Sequence, residues 1–74
     1  MLKGLLRMSM LKIISENMAT GYQIIKRVKE LTGEKPSSGS VYPILKSMQN
    51  KGWINGRTQN GKTVYEITEV AKKL

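Results

Sequence analysis

The chain has 74 residues, and its 13 Lys and Arg side chains against 5 Asp and Glu give a formal net charge of +8. This length accommodates one small domain, residues 1–74, which buries only about 60% of the surface that the unfolded chain exposes. Cys and His are absent, so disulfides and the usual zinc sites are excluded, and we expect no metal and no cofactor. Because Asp is also missing, the ordinary catalytic side chains are scarce, and we predict that the chain is not an enzyme.

The first predicted helix covers about residues 2–15 and is apolar on almost all sides. A helix of this kind is buried on more than one side, and a 74-residue monomer can hardly surround it. We therefore expect a homodimer and assign to its interface Leu2, Leu5, Leu6 and Met10. Three alternatives are contact with a missing segment of the protein, a surface for another protein and a basic helix lying on a membrane. Lys12 projects nearly opposite to Lys3 and Arg7, which disfavours the membrane.

Those same charges interrupt the apolar N-terminus too often for a transmembrane span or for the apolar part of a secretory signal. Together with the absence of cysteine, this pattern favours a cytoplasmic protein. We expect no membrane partner.

The second helix is predicted at about residues 20–32. Thr20 followed by Gln23 matches a capping box at its start, and Gly33 is a typical stop. We interpret Gly21 as part of the cap and Tyr22 as a ring packed on a neighbouring helix.

The third helix is predicted at about residues 40–51, after a turn-rich link that begins at Lys35. With Ser40 as N-cap, Pro43 falls in the first turn, where its missing N–H has no intrahelical partner. Its core face carries Val41, Ile44, Leu45 and Met48, and its opposite face carries Tyr42, Pro43, Lys46, Gln49 and Asn50. The side chains of the opposite face can hydrogen-bond to base edges and phosphates.

A β hairpin is predicted at about residues 53–67, because the apolar pattern changes to a period of two and Asn60-Gly61 is a strong turn signal. A two-residue type I′ turn would pair Gln59 with Lys62, Gly56 with Tyr65 and Ile54 with Ile67. Gly56 then leaves room for the Tyr65 ring, and Trp53 is assigned to the core. Thr68 can cap a short helix over residues 69–74.

The stretch from Lys35 to Tyr65 contains Lys35, Lys46, Lys51, Arg57 and Lys62 and no Asp or Glu, and we name it the acid-free stretch. Such a stretch is typical of a surface that binds a polyanion. The order of elements predicts an α+β, mainly helical fold: a winged helix-turn-helix with three helices, a two-stranded β wing and a short C-terminal helix. In this fold the third helix enters the major groove of DNA. The alternative is a winged helix that binds another protein.

Four motifs resemble the PadR-like transcriptional regulators: Gly21-Tyr22, Tyr42-Pro43-Ile44-Leu45, Gly52-Trp53-Ile54 and Tyr65-Glu66-Ile67-Thr68. The resemblance covers residues from about 5 to 74. It implies DNA contacts from Tyr42, Pro43 and Lys46 in the recognition helix and from Arg57 and Lys62 in the wing. The alternative for Tyr42 is a ring packed against helix 2 or the wing. That family usually carries further C-terminal helices that pair with helix 1 in a dimer and often form an effector pocket, whereas only a short helix follows the wing here.

We therefore predict a sequence-selective, double-stranded DNA-binding transcriptional regulator that acts as a repressor. Its recognition helix lies in the major groove and its wing on the backbone or minor groove. The homodimer forms through helix 1 and the C-terminal helix, and the sequence does not identify a small-molecule effector. The predicted DNA-binding residues are Lys35, Ser38, Ser40, Tyr42, Pro43, Lys46, Asn50, Arg57, Asn60 and Lys62.

Overall fold

The computed structural model describes residues 3–73, so the predictions for Leu2 and Leu74 lie outside it. Within this range the order of elements is α1 (Lys3–Glu16), β1 (Ala19–Thr20), α2 (Gly21–Thr32), α3 (Ser38–Asn50), β2 (Ile54–Gln59), β3 (Lys62–Ile67) and α4 (Glu69–Lys72). The mainly helical α+β fold class is confirmed. None of the helices over residues 3–73 is both long enough and apolar enough to cross a bilayer.

The capping box of α2 is formed as predicted. The Gln23 backbone N–H donates to the Thr20 hydroxyl at 3.2 Å, and the Thr20 N–H donates to the Gln23 side-chain oxygen at 2.9 Å. At the other end Gly33 adopts the left-handed conformation (φ 81°), and its N–H donates to the Lys29 carbonyl. Both ends of α2 are therefore set by residues within the helix or next to it.

Helix α3 begins two residues before the predicted start, so the assignment of Ser40 as N-cap is wrong. Ser37 is the N-cap: its backbone is extended, and its hydroxyl accepts the Ser40 N–H at 3.2 Å. Several serines of the link could have served as caps, and the sequence alone does not choose among them. Pro43 consequently lies inside the helix, where it cannot donate to the carbonyl of Gly39.

One apolar core joins α1, α2, α3 and the sheet. Its fully buried side chains are Met10, Ile14, Ile24, Val28, Val41, Leu45, Met48 and Ile54. Trp53 is partly buried and packs against this core, as predicted, and the ammonium of Lys51 lies 4.8 Å from the centroid of its ring.

Two of the residues predicted for the dimer interface are buried within the single chain. Leu6 and Met10 are 5% and 0% exposed, because α2 and β3 pack against the face of α1 that carries them. These two side chains are therefore core residues of the single chain. Leu5 and Met8 are 55% and 69% exposed, so the apolar part of α1 that the chain leaves uncovered is smaller than predicted.

The hairpin has the predicted register, with Ile54 opposite Ile67, Gly56 opposite Tyr65 and Gln59 opposite Lys62. Both residues of the turn have positive φ, 51° at Asn60 and 79° at Gly61, as a type I′ turn requires. The wing is not a two-stranded sheet, however, because β1 pairs with β3 and gives the order β1-β3-β2. The sequence did not predict β1, because a strand of two residues is too short to show a periodic apolar pattern.

Helix α4 is shorter than predicted and begins at the predicted cap, Thr68. The Thr68 hydroxyl accepts the Ala71 N–H at 3.4 Å and donates toward the carbonyls of Gly52 and Trp53 at 2.5 and 3.0 Å. This residue therefore caps α4 and connects it to the start of the wing.

Candidate nucleic-acid interface

The structure places all ten predicted DNA-binding residues at the surface. They come from three adjoining parts of the chain: the link before α3, the outer face of α3 and the wing. The core holds these parts in place, since Val41, Leu45 and Met48 bury the opposite face of α3.

Tyr42, Lys46 and Asn50 form a stripe along the outer face of α3. They are spaced four residues apart, so they follow one another on successive turns of the helix. All three are exposed, and no ion pair within residues 3–73 involves Lys46. The stripe therefore presents an ammonium group, a phenol and an amide to the same side of the molecule.

Tyr42 also packs on the start of α2. A Cβ atom added at Gly21 would lie 2.6 Å from the Tyr42 hydroxyl oxygen and 2.8 Å from its Cε1 atom, so only glycine fits beneath the ring in this position. The Tyr42 side chain nevertheless remains 48% exposed. The prediction that Tyr22 packs on a neighbouring helix is wrong, because Tyr22 is 72% exposed and points away from the core face of α2.

A groove that we name the wing cleft lies between the start of α2, the Tyr42 ring and the tip of the wing. Its volume is about 640 Å³, and its lining includes Tyr22, Lys26, Tyr42, Lys62 and Tyr65. Across the part of the chain that the structure describes, no Asp or Glu lines it. Burial, followed by the neighbouring Tyr42, raises the pKa of Tyr65 above 10.0, so its hydroxyl stays protonated at neutral pH.

Arg57 of the wing forms an ion pair. Its guanidinium lies 3.1 Å from the carboxylate of Glu66, which is the first residue after the acid-free stretch. Arg57 is opposite Val64, so Glu66 lies two residues further along β3 on the same face. The acid-free stretch therefore overstates the positive charge of the wing. Lys62, the other cation of the wing, forms no ion pair among residues 3–73.

Gln49 connects α3 to the wing, a role that sequence reasoning missed. A Cβ atom at Gly56 would lie 2.8 Å from the Gln49 side-chain nitrogen and 3.4 Å from Cε1 of Tyr65. The glycine leaves room for Tyr65 as predicted, but it approaches Gln49 more closely. Side-chain contacts of this kind link residues on different elements and carry no local sequence signal.

Sequence reasoning also left out Tyr22 and Lys26, since both precede the acid-free stretch. They lie four residues apart on the exposed face of α2. Both line the wing cleft and a second groove of about 620 Å³, whose lining includes Lys29 and Lys35. The helical spacing was a usable signal, although it could not show that this face adjoins the wing.

Three packed helices followed by a β hairpin, with an exposed polar face on α3, define a winged helix-turn-helix protein. The profile of the transcriptional regulator PadR-like family matches residues 10–73. The chain belongs to this family, and the predicted resemblance is confirmed.

Individual relatives agree with this assignment. The transcriptional regulator YqjI of Escherichia coli (strain K12) is 37% identical over 69 residues, covering 89% of this chain and 33% of YqjI, so the chain spans about a third of that relative. The structure of TA0346 from Thermoplasma acidophilum, described as a transcriptional regulator, has a TM-score of 0.81 at 33% identity and covers 96% of this chain and 71% of TA0346. A PadR family transcription regulator from Clostridium difficile R20291 has a TM-score of 0.83 at 26% identity, covering 92% and 76% of the two chains.

The contact between Tyr42 and Gly21 predicts that Gly21→Ala changes the free energy of unfolding differently with and without the Tyr42 ring. Gly→Ala in a helix interior stabilises by about 0.5–1 kcal/mol, and Gly21, as the first residue of α2, should gain at most this much. Gly21→Ala should lose this gain in the native background, because the new methyl group displaces the Tyr42 ring, and should recover it in a Tyr42→Ala background. Urea unfolding of the four proteins measures both values; equal effects in the two backgrounds would contradict the contact.

Proposed function

We propose that the chain is a cytoplasmic, sequence-selective regulator that binds double-stranded DNA and represses transcription by occluding its site. The observation that supports this most directly is the exposed stripe of Tyr42, Lys46 and Asn50. Lys62, which forms no ion pair within residues 3–73, lines the same groove as Tyr42. An α-helix with such a face fits the major groove.

The ten residues divide by the contacts that their chemistry allows. Lys35, Lys46 and Lys62 would bind phosphates, and Arg57 would do so in competition with Glu66. Tyr42, Ser38, Ser40 and Asn50 would set the register or read base edges. Pro43 adds apolar contact beside Tyr42, and Asn60, at the tip of the turn, would place the wing on the backbone or in the minor groove.

We also propose that a second copy covers the remaining exposed apolar side chains of α1, Leu5 and Met8, and Val70 of α4, which is 54% exposed. Such a dimer would bind a pseudo-palindromic site with half-sites about one helical turn apart. PadR-like regulators support a role for helix 1 in this contact, since helix 1 pairs in their dimer with the further C-terminal helices. The sequence and structure identify no effector.

Removing single cations should change DNA binding in a salt-dependent way. Lys46→Ala should weaken binding to a duplex, and Lys62→Ala should lower the slope of log affinity against log salt concentration by about one, because one phosphate contact is lost. Fluorescence anisotropy with a labelled random duplex across a sodium chloride series measures both effects.

The same series tests the function itself. If the native chain shows no salt-dependent binding, the DNA-binding proposal is wrong and a protein-interaction role is favoured. If the native chain binds and neither variant differs from it at moderate salt, the predicted interface is misplaced.

Releasing Arg57 should strengthen DNA binding. Glu66→Gln removes the carboxylate 3.1 Å from the guanidinium, so we expect affinity to rise by about twofold to fivefold, which is the range for an exposed ion pair. Glu69→Gln is the matched control, since it makes the same change of charge in α4, where Glu69 pairs with Lys72. An equal gain in both variants would show a general charge effect instead.

The oligomeric state can be measured directly. Sedimentation equilibrium of the native chain should show a monomer–dimer equilibrium, and Leu5→Ser with Met8→Ser should shift it toward monomer while the helical circular dichroism is retained. A native chain that stays monomeric with and without duplex DNA would contradict the proposed interface.

A further inference from the structure

We propose that the wing cleft binds one phosphodiester group of the DNA backbone, held between Lys26 of α2 and Lys62 of the wing. This inference rests on the proposed DNA-binding function and extends the interface to a face of α2 that lies outside the acid-free stretch. It assigns a binding role to Lys26 and Tyr22, which were not among the predicted DNA-binding residues.

The first observation is the meeting of two cations from distant parts of the chain. Lys26 and Lys62 are exposed and line the same groove, which Tyr42 also lines. Neither takes part in an ion pair among the described residues. Two ammonium groups brought to one groove without a carboxylate repel each other, and an anion placed between them relieves this repulsion.

The second observation is the hydrogen-bonding character of the lining. Lysine ammonium groups only donate, and tyrosine and threonine hydroxyls can donate as well. The side-chain oxygen of Gln23, an acceptor at the same place, already receives the Thr20 N–H at 2.9 Å. A base edge presents donors and acceptors together, whereas a phosphodiester presents only acceptors, so the lining suits a phosphate better than a base.

The third observation is that the cleft is preformed. The Tyr42 ring is held on Gly21, and the wing is held next to α3 by the approach of Gln49 to Gly56. The cleft therefore adjoins the recognition helix on its α2 side. When α3 lies in a major groove, the strand bordering that groove passes this side of the helix, which is where a backbone phosphate is available.

The fourth observation is the continuity of positive charge along α2. Tyr22 and Lys26 also line the adjoining groove with Lys29 and Lys35. A strand leaving the cleft would thus meet further cations rather than acidic side chains.

The test compares Lys26→Gln with Arg27→Gln in the anisotropy assay. Both variants remove one positive charge from α2 at similar helix propensity. Lys26 and Arg27 both line a groove between the end of α1 and α2, but only Lys26 also lines the wing cleft. We expect Lys26→Gln to weaken binding about fivefold at low salt and to lower the salt slope by about one. Arg27→Gln should leave the slope unchanged, and Lys26→Arg should restore affinity.

A double-mutant cycle tests whether the two lysines share a phosphate. Substitutions at independent sites lower affinity by factors that multiply, whereas substitutions at sites that share a partner do not. If Lys26 and Lys62 share a phosphate, Lys26→Gln should lower affinity by a smaller factor in a Lys62→Gln background than in the native chain. In a Lys46→Ala background the factor should be the same as in the native chain. Circular dichroism melts establish that each variant is folded.

The outcomes separate this inference from the proposed function. If the native chain binds DNA and Lys46→Ala weakens it, but Lys26→Gln behaves like Arg27→Gln, the phosphate site is wrong and the DNA-binding function stands. Multiplicative costs of Lys26→Gln and Lys62→Gln would overturn the shared phosphate. No DNA binding by the native chain would overturn both.

Discussion

The contact between the Tyr42 ring and Gly21 joins α3 to α2 beside the wing, at the three elements that line the wing cleft. The ring belongs to the outer face of α3, the glycine opens α2, and Tyr65 of β3 lies near Tyr42, so that burial, followed by this neighbour, raises the pKa of Tyr65. The shared core places α2 and α3 side by side, and the absence of a Cβ atom at Gly21 allows the Tyr42 ring to approach the start of α2. A single exposed ring thus contributes both to packing and to the surface that would face DNA.

The net charge of the chain does not show which of its cations are available to bind DNA. The chain carries +8, but Glu66 partly compensates Arg57 and Glu69 pairs with Lys72. Lys46, Lys62 and Lys26 have no such partners among the described residues. Lys26 and Lys62 line the wing cleft together with Tyr42, and Lys46 follows Tyr42 one turn later on α3. Binding to a polyanion depends on the cations that can reach its phosphates. These three lysines therefore support the proposed DNA binding more directly than the net charge does.

Predictions based on neighbouring residues agree with the structure, and those based on surface coverage do not. The Thr20 capping box and the hairpin register depend on residues a few positions apart, so the pattern determines them. The start of α3 is wrong by two residues because several adjacent serines can cap it. The assignment of Leu6 and Met10 to an interface fails because it required knowing how much of α1 the rest of the chain covers.

By itself the sequence determined the class of fold, the polar outer face of α3 and a basic segment without acidic residues. These features follow from periodicity, turn chemistry and charge order along the chain. Tertiary structure alone decided that Glu66 reaches Arg57, that Tyr42 rests on Gly21 and that Lys26 meets Lys62 across one cleft. Each of these contacts joins residues on different elements, and their separation is set by how the shared core packs rather than by their spacing in the chain.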